Sequence, residues 1–155
     1  MGCLPRGAFR TVRHAGDRAV VADTMAISAI VNADRDPAVA AAYRALIAGR
    51  PVVVSFVTVT EMRYGALKAG WGQLRRRALD RDLARLVVVQ PDDEMMQRCA
   101  ALRDECEKAG LALGQKVHEA DRWIAATALV LGVDLVSQDA VFRTVPGLSV
   151  LSRPG

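Results

Sequence analysis

Short apolar runs rich in β-branched residues alternate with helical patterns along most of the chain. Four runs predict buried strands, at 20–22, 52–55, 86–89 and 134–137, and a fifth strand is predicted at 149–151. Between them, apolar residues recur with the helical period and predict helices at about 25–31, 38–48, 59–69, 73–86, 92–109 and 119–131. Strands that alternate with helices are typical of a mostly parallel sheet, so the sequence predicts an α/β fold with four to five strands.

Length and composition indicate one folded domain behind a basic N-terminal extension. The chain has 155 residues, of which 52% are hydrophobic and 25% charged, a balance that argues against disorder. Its net charge of +4 favours a polyanionic partner. The charge is uneven, because residues 1–22 hold four arginines and one aspartate, whereas the remainder holds 17 basic and 16 acidic side chains. We predict a flexible, dispensable extension at 1–18 and a single domain at 19–155.

The cysteines, histidines and apolar segments favour a cytoplasmic protein with no membrane partner. Cys99 and Cys106 lie seven residues apart on a predicted helix, where buried free thiols suit a reducing compartment. His14 and His118 are isolated in the sequence, which argues against a zinc site. The longest uncharged stretches, 52–60 and 123–133, are shorter than the roughly 18 residues that a membrane-spanning helix needs.

Four acidic residues stand where the predicted strands end or a helix begins: Asp23, Glu61, Asp121 and Asp139. Each has a local explanation. Asp23 can cap a helix, Thr58 and Glu61 match a capping box, Asp121 suits a helix dipole, and Asp139 suits a turn. Because the carboxyl ends of parallel strands meet at one edge of a sheet, we also expect the four side chains to converge there.

Converging carboxylates indicate a metal site. Like charges a few ångströms apart raise each other's pKa values, and a divalent cation removes that repulsion. Mg²⁺ prefers oxygen ligands and needs neither histidine nor cysteine. Such a site favours phosphate chemistry, since the metal activates water and stabilises the entering and leaving oxygens of a displacement.

The segments that carry these acids are 20–24, 58–65, 119–128 and 135–139, and the Asp-x-x-Ile-Ala-Ala-x-Ala stretch that begins at Asp121 is the most specific of them. Together they resemble the PIN-domain ribonucleases, most closely the VapC toxins of bacterial toxin–antitoxin pairs, over about residues 19–151. Two departures are the N-terminal extension, which places the first aspartate later than usual, and the residues around Thr24, which read Asp-Thr-Met where many relatives have Asp-Thr-Ser or Asp-Ser-Ser.

The resemblance implies a PIN-like three-layer α/β/α sandwich and an endoribonuclease that leaves 3′-hydroxyl and 5′-phosphate ends. It implies that Asp23, Glu61, Asp121 and Asp139 form the catalytic site and bind Mg²⁺, for which Mn²⁺ can substitute, with Asp23 and Asp121 as the firmest ligands. Thr24 and Ser137 match hydroxyl positions that support the site by hydrogen bonds. The expected partners are an RNA substrate, a second copy of the chain, and a cognate antitoxin whose C-terminal segment covers the groove.

Several further residues have two interpretations each. The arginines at 75–77 lie on a predicted basic helix and either contact the RNA backbone or form a solvated face. Arg122 adjoins Asp121 and either steers a phosphate or lies on the surface. Trp71 is an antitoxin contact or a loop anchor, and Trp123 suits core or dimer packing better than base stacking.

Two other classes of function stay open on the sequence. One is another aspartate-based phosphate enzyme, but a haloacid-dehalogenase-type phosphatase needs Asp-x-Asp after the first strand, and this chain has Met25 at the second acidic position. A receiver domain needs an acidic pair and a late lysine that are not evident. The other class is a catalytically silent PIN-like module that only binds RNA or an antitoxin, against which the four intact acids argue.

Overall fold

A computed structural model describes residues 19–154, so the predicted extension at 1–18 lies outside the described residues. Five strands and six helices alternate in it, as the apolar pattern predicts. In chain order they are β1 (Val20–Ala22), α1 (Thr24–Val31), α2 (Pro37–Ile47), β2 (Val52–Ser55), α3 (Phe56–Lys68), α4 (Gln73–Leu83), β3 (Val87–Val89), α5 (Asp93–Lys108), α6 (Glu119–Leu131), β4 (Asp134–Val136) and β5 (Val150–Leu151). Single 3₁₀ turns occupy Ala112–Gly114, Lys116–His118 and Ala140–Phe142.

The strands form one sheet in the order β3-β2-β1-β4-β5, and every neighbouring pair is parallel. The predicted α/β fold is therefore confirmed. Strand β1, which leads into Asp23, lies in the centre, with Val21 in register with Val53 of β2 and Leu135 of β4. A central strand is hydrogen-bonded on both sides, so its carboxyl end is held more firmly than an edge strand's.

Helices cover both faces of the sheet because side chains alternate between faces along each strand. Val21, Val53 and Leu135 pack into one core with residues of α5 and α6. Val20, Val54 and Val136 pack into the other core with residues of α1 to α4. The result is the three-layer arrangement, and its sheet is apolar on both sides, as parallel sheets are.

Cys99 and Cys106 of α5 are both buried and free, as predicted, and their side chains are part of the core on that face of the sheet. Over residues 19–154, no helix combines the length and the apolar character needed to cross a membrane.

Candidate active site

Asp23 is the buried centre of the candidate site. It directly follows β1 and caps α1, since its Oδ1 accepts a 2.7 Å hydrogen bond from the backbone N–H of Ala26. The hydroxyl of Ser137 donates to its Oδ2. Only 4% of the residue is exposed. Asp23 is therefore both the helix cap and the carboxylate at the sheet edge that the sequence predicts.

The environment of Asp23 brings two further acids to the same place. Burial raises the pKa of Asp23, although the hydrogen bonds from Ser137 and Ala26 lower it. The carboxylates of Asp139 and Asp121 are close enough to raise that pKa further by repulsion. Asp23, Asp121 and Asp139 come from distant parts of the chain, and the latter two affect the pKa of the buried Asp23 carboxyl.

Ser137 and Asp139 lie next to each other at the end of β4, the strand that pairs with β1. The Ser137 hydroxyl oxygen accepts a 3.0 Å hydrogen bond from the backbone N–H of Asp139 while it donates to Asp23. The Asp139 carboxylate accepts a 2.9 Å bond from the Val141 N–H and thereby caps the 3₁₀ turn Ala140–Phe142. Ser137 consequently connects two of the acids and holds the turn that carries the second one.

Glu61 reaches the site from α3, and the capping box predicted for it is wrong. Helix α3 begins at Phe56, not at Val59, and Ser55 is its N-cap, so Thr58 already lies inside the first turn. Glu61 accepts instead from the hydroxyl of Thr24, which begins α1. The Thr24 and Thr58 hydroxyl oxygens are 3.2 Å apart. Because a carboxylate only accepts and Thr24 has one proton, Thr58 donates to Thr24 and Thr24 donates to Glu61.

Asp121 lies in the first turn of α6, as predicted, and has a partner that the sequence reasoning missed. The Nδ1 atom of His118 is 2.7 Å from Asp121 Oδ2. Both side chains are a little more than a quarter exposed. The spacing of three residues at a helix start was the available signal, but only the position of the turn at 116–118 brings the imidazole onto the carboxylate.

The side chain of Arg122, for which the sequence gives a phosphate contact or a surface position, is buried against the segment that precedes α6. The residue is 2% exposed. Its guanidinium donates to the backbone carbonyls of Leu113 at 2.8 Å and Gln115 at 2.6 Å. It therefore braces the segment that leads into His118 and α6, and neither sequence interpretation, phosphate contact or surface residue, anticipated this role.

A groove extends from Thr24 and Glu61 along α1 and α3. It has a volume of about 620 Å³, with Thr24 and Glu61 among its lining residues, and Trp71 and Arg75 line it as well. The Arg75 guanidinium carbon is 3.6 Å from the centroid of the Trp71 ring. Arg76 and Arg77 line a different cavity, of about 330 Å³, between α3 and α4. The arginines at 75–77 therefore face two separate surfaces.

Trp123 has a packing role. Its ring centroid lies 5.3 Å from that of Phe56 in an edge-on arrangement, and it packs against the core on the α5–α6 face. This agrees with core packing, the interpretation favoured for it from the sequence.

The carboxylate set suits a hard divalent cation in its donor chemistry, although no closed metal cluster is formed. Across residues 19–154, no three histidine, cysteine, aspartate or glutamate side chains are arranged to enclose a metal ion. Each of the four predicted acids accepts one or two hydrogen bonds. Because a carboxylate has about four acceptor sites, each acid keeps lone pairs that could coordinate a cation. A further buried hydroxyl, that of Ser55 at the end of β2, has no hydrogen-bond partner among the described residues.

Comparison with known families places the chain. The family model described as PIN domain matches residues 20–148, and the chain therefore belongs to the PIN-domain family. This confirms the resemblance to the PIN-domain family that the acidic segments indicate. No functionally curated protein sequence matches the chain significantly.

Solved structures of toxin–antitoxin complexes contain the same fold. A chain of VapBC2 from Rickettsia felis, bound to a promoter DNA fragment, aligns with a TM-score of 0.72 and 21% identity over 88% of this chain and 99% of that one. A chain of DNA-bound VapBC from Salmonella typhimurium gives 0.66 and 24% over 87% and 98%. A chain of VapBC-5 from Mycobacterium tuberculosis gives 0.61 and 28% over 89% and 99%.

Proposed function

We propose that this protein is a Mg²⁺-dependent endoribonuclease, the toxin of a toxin–antitoxin pair. Its membership of the PIN-domain family and its likeness to chains of VapBC complexes support the class. The observation that carries the proposal is the electrostatic coupling at Asp23, whose pKa is raised by burial and also by Asp139 and Asp121. A buried carboxylate that two others repel is destabilising unless a cation or a proton joins it.

The ligands of the cation would be the four predicted acids. Asp23 and Asp121 would be the principal ligands, with Glu61 and Asp139 completing the acidic set, and Mn²⁺ would substitute for Mg²⁺. When bound, the metal would lower the pKa of a water molecule and stabilise the charge that develops on the phosphate oxygens. The reaction breaks the bond between phosphorus and O3′, so that water's oxygen ends on the 5′-phosphate and the 3′-oxygen leaves as a hydroxyl.

The surrounding residues hold these acids in place for the reaction. Ser137 fixes Asp23, and the Thr58–Thr24 pair fixes Glu61. The imidazole of His118 orients Asp121 through its Nδ1. Such supporting hydrogen bonds set the direction of ligand lone pairs and commonly matter as much as the ligands themselves.

The arginines of α4 would supply affinity for RNA. Arg75 lies in the groove that contains Thr24 and Glu61, so we assign it to the substrate strand at the site. Arg76 and Arg77 lie on the other side of the helix and would contact the backbone further away. Contacts of this kind neutralise phosphates and weaken steeply as salt rises.

We further propose that the chain forms a homodimer and binds an antitoxin. Solved structures similar to this chain include toxin–antitoxin complexes from Klebsiella pneumoniae and Mycobacterium tuberculosis, which supports the second partner. Large apolar side chains stand exposed on and beside the basic helix, with 63% of Tyr64, 59% of Leu67 and 80% of Leu74 accessible. Exposed apolar groups of this size are typical of protein contact surfaces.

Incubation of the purified chain with total RNA tests the proposed activity. The expected result is cleavage in Mg²⁺ or Mn²⁺ that EDTA stops, with products that polynucleotide kinase labels only after removal of a 5′-phosphate. The variants Asp23→Asn and Asp121→Asn should lose at least a hundredfold in rate, whereas Asp104→Asn, at an exposed aspartate of α5 that does not line the groove, should remain within about twofold. Cleavage that survives EDTA, or that both site variants retain, would refute the proposal.

A further inference from the structure

We propose that Trp71 and Arg75 form a stacking platform for one unpaired nucleobase of the substrate strand. The inference rests on the proposed function in that it takes RNA as the ligand of the groove. It adds a specific subsite to that function: a base held flat at one part of the groove while a neighbouring phosphate reaches the acids around Asp23.

The platform is held in position by the end of helix α3. The backbone N–H of Trp71 donates to the Ala66 carbonyl at 3.0 Å, and Gly70 provides the left-handed turn with a φ of 67°. Because only glycine adopts that conformation without strain, the chain turns sharply there and presents the indole beside the start of α4. Trp71 is half-buried, so one part of the ring is anchored.

Arg75 lies flat over the indole. A distance of 3.6 Å from the guanidinium carbon to the ring centroid is stacking distance, and it places the cation on the electron-rich face of the ring. A guanidinium held in this way exposes its other planar face, and nucleobases stack on such planes as they do on aromatic rings. The pair therefore offers a preformed flat surface one base in size.

The platform shares one groove with Glu61, one of the four acids. The lining of the groove includes Thr24 and Glu61, and Gly65 on the side of α3 that faces it. No atom lies within 4 Å of the position that a Cβ would take on Gly65, so the absence of a side chain leaves open space there. A strand lying in the groove can thus reach from the platform to Glu61 without crossing a side chain at position 65.

The stacked guanidinium favours RNA over a protein segment at this subsite. Arg35 and Arg75 line the groove together with the acids Asp34 and Glu61, and within residues 19–154 neither arginine forms an ion pair with a carboxylate. Two guanidinium groups that are free to bind phosphate, one of them stacked on an aromatic ring, match a phosphate backbone that carries a base. The base must be unpaired and unstacked, because a base inside a duplex has no free face. The geometry therefore points to single-stranded RNA.

Binding without cleavage tests the platform directly. The probe is a 2′-O-methyl RNA heptamer with one central 2-aminopurine, titrated with the full chain in EDTA, which removes the metal on which the proposed cleavage depends. Stacking quenches 2-aminopurine fluorescence, so the wild-type chain should bind the probe and quench it. Trp71→Ala and Arg75→Ala should each weaken binding about 5- to 100-fold and abolish the quenching, given what one stacked base contributes.

Three further variants separate stacking from charge and from misfolding. Arg75→Lys keeps the charge but loses the plane, so it should lose quenching as Arg75→Ala does. Arg77→Ala removes the same charge from the same helix on its other side, so it should reduce the salt dependence of binding and keep the quenching. Trp71→Phe keeps an aromatic ring and should retain part of both signals, with an unchanged thermal unfolding curve.

The outcomes separate this proposal from the ribonuclease proposal. Quenching and affinity that persist in Trp71→Ala and Arg75→Lys would overturn the platform, as would an RNA duplex that competes as well as a single strand. An effect of Trp71→Ala on partner-protein binding alone would also overturn it. A wild-type chain that quenches the probe but cleaves no RNA in Mg²⁺ would leave the platform standing and refute the catalytic proposal.

Discussion

At the scale of single residues, Asp23 has two roles that shift the pKa of its carboxyl in opposite directions. As a helix cap it favours the charged form, because it accepts from the Ala26 N–H and the Ser137 hydroxyl. As a buried carboxylate near Asp139 and Asp121 it favours the neutral form, and the balance raises its pKa. The free protein thus carries a carboxylate whose charge is costly until a cation arrives.

Replacing that carboxylate should stabilise the metal-free protein. A raised native pKa means that the folded state binds more protons than the unfolded state between the two pKa values, so stability falls as the pH rises through the raised pKa. Asp23→Asn removes this loss and keeps an oxygen that can cap α1. Its melting temperature in EDTA at pH 7 should exceed that of the wild type, at about 2–4 °C for each kcal/mol gained.

The pH series supplies the control for the Asp23 variant. The advantage of Asp23→Asn should shrink towards zero below the ordinary pKa of an aspartate, where the wild-type side chain is neutral in both states. The exposed Asp34, changed to Asn, should alter the melting temperature little at any pH. An Asp23→Asn variant that is less stable than the wild type at pH 7 in EDTA would contradict the raised pKa.

Thr24 is the second residue on which the site depends, because its one hydroxyl proton is donated to Glu61. Thr24→Val preserves the shape of the side chain but leaves Glu61 without this donor, whereas Thr24→Ser keeps the hydroxyl. Loss of a hydrogen bond that orients a metal ligand commonly costs about 10- to 100-fold in metal affinity or activity. We expect that loss in Thr24→Val, measured as the Mg²⁺ concentration for half-maximal cleavage, and a loss below about threefold in Thr24→Ser.

The opposite pattern would refute this role for the hydroxyl. If Thr24→Val and Thr24→Ser both retained wild-type dependence on Mg²⁺, the contact between Thr24 and Glu61 would be structural only. Thr58→Val provides a second comparison, because Thr58 is fully buried and donates to Thr24, one bond further from the acid. Its effect on the Mg²⁺ dependence should be smaller than that of Thr24→Val.

At the scale of secondary-structure elements, Arg122 shows how a helix start is braced. Its guanidinium satisfies two backbone carbonyls in the segment before α6, at Leu113 and Gln115. Arg122→Met fills a similar volume but leaves both carbonyls without this donor. The Gln115 carbonyl keeps its 3.1 Å hydrogen bond from the His118 N–H, so the loss falls mainly on the buried Leu113 carbonyl. Leaving a buried acceptor unsatisfied costs about 1–3 kcal/mol, in part offset because no charge is then buried, so we expect a net loss of about 1 kcal/mol.

Urea unfolding measures the Arg122 effect. The matched control is Arg77→Met on the exposed surface of α4, which should change the free energy of unfolding by no more than about 0.5 kcal/mol. Unchanged stability in Arg122→Met together with a loss of RNA affinity would restore the phosphate contact that the burial of this side chain excludes.

The elements were largely predictable because their signals are local. Runs such as 52–55 are too short and too β-branched for helices, and Asp36-Pro37 is a strong helix start that Asp36 duly caps. The start of α3 was missed because Phe56 and Val57 continue the apolar run of β2, so periodicity does not mark where strand becomes helix. Ser55 as a cap, without a side-chain hydrogen bond, gives no stronger signal.

The side-chain partners in the site were less predictable, since they depend on tertiary contacts. Nothing near Glu61 in the sequence indicates that Thr24, 37 residues earlier, supplies its hydrogen bond. Likewise, the sequence indicates a phosphate contact or a surface position for Arg122. The packing of residues 111–115 against α6, which buries its side chain, cannot be predicted from local spacing. The positions of the acids could be predicted from the ends of the strands. The hydrogen bonds that hold them could be identified only in the packed structure.

At the scale of the whole molecule, the parallel sheet explains why residues 23, 61, 121 and 139 can act together. Its central strand delivers Asp23, the neighbouring strand β4 delivers Ser137 and Asp139, and helices that begin beside this edge deliver the remaining two acids. The edge at the carboxyl ends of parallel strands is a general ligand site for the same reason. Sequence order alone does not reveal that β1 and β4 are neighbours.

Titration of the purified, metal-free chain with Mn²⁺, followed calorimetrically, most directly tests the claim that these acids share one cation. We predict one saturable binding process that Mg²⁺ competes for, weakened at least tenfold in both Asp23→Asn and Asp121→Asn and unchanged in Asp104→Asn, at an exposed position of α5. Wild-type affinity in both site variants, or the absence of any saturable binding to the wild type, would contradict a shared metal site at this edge of the sheet.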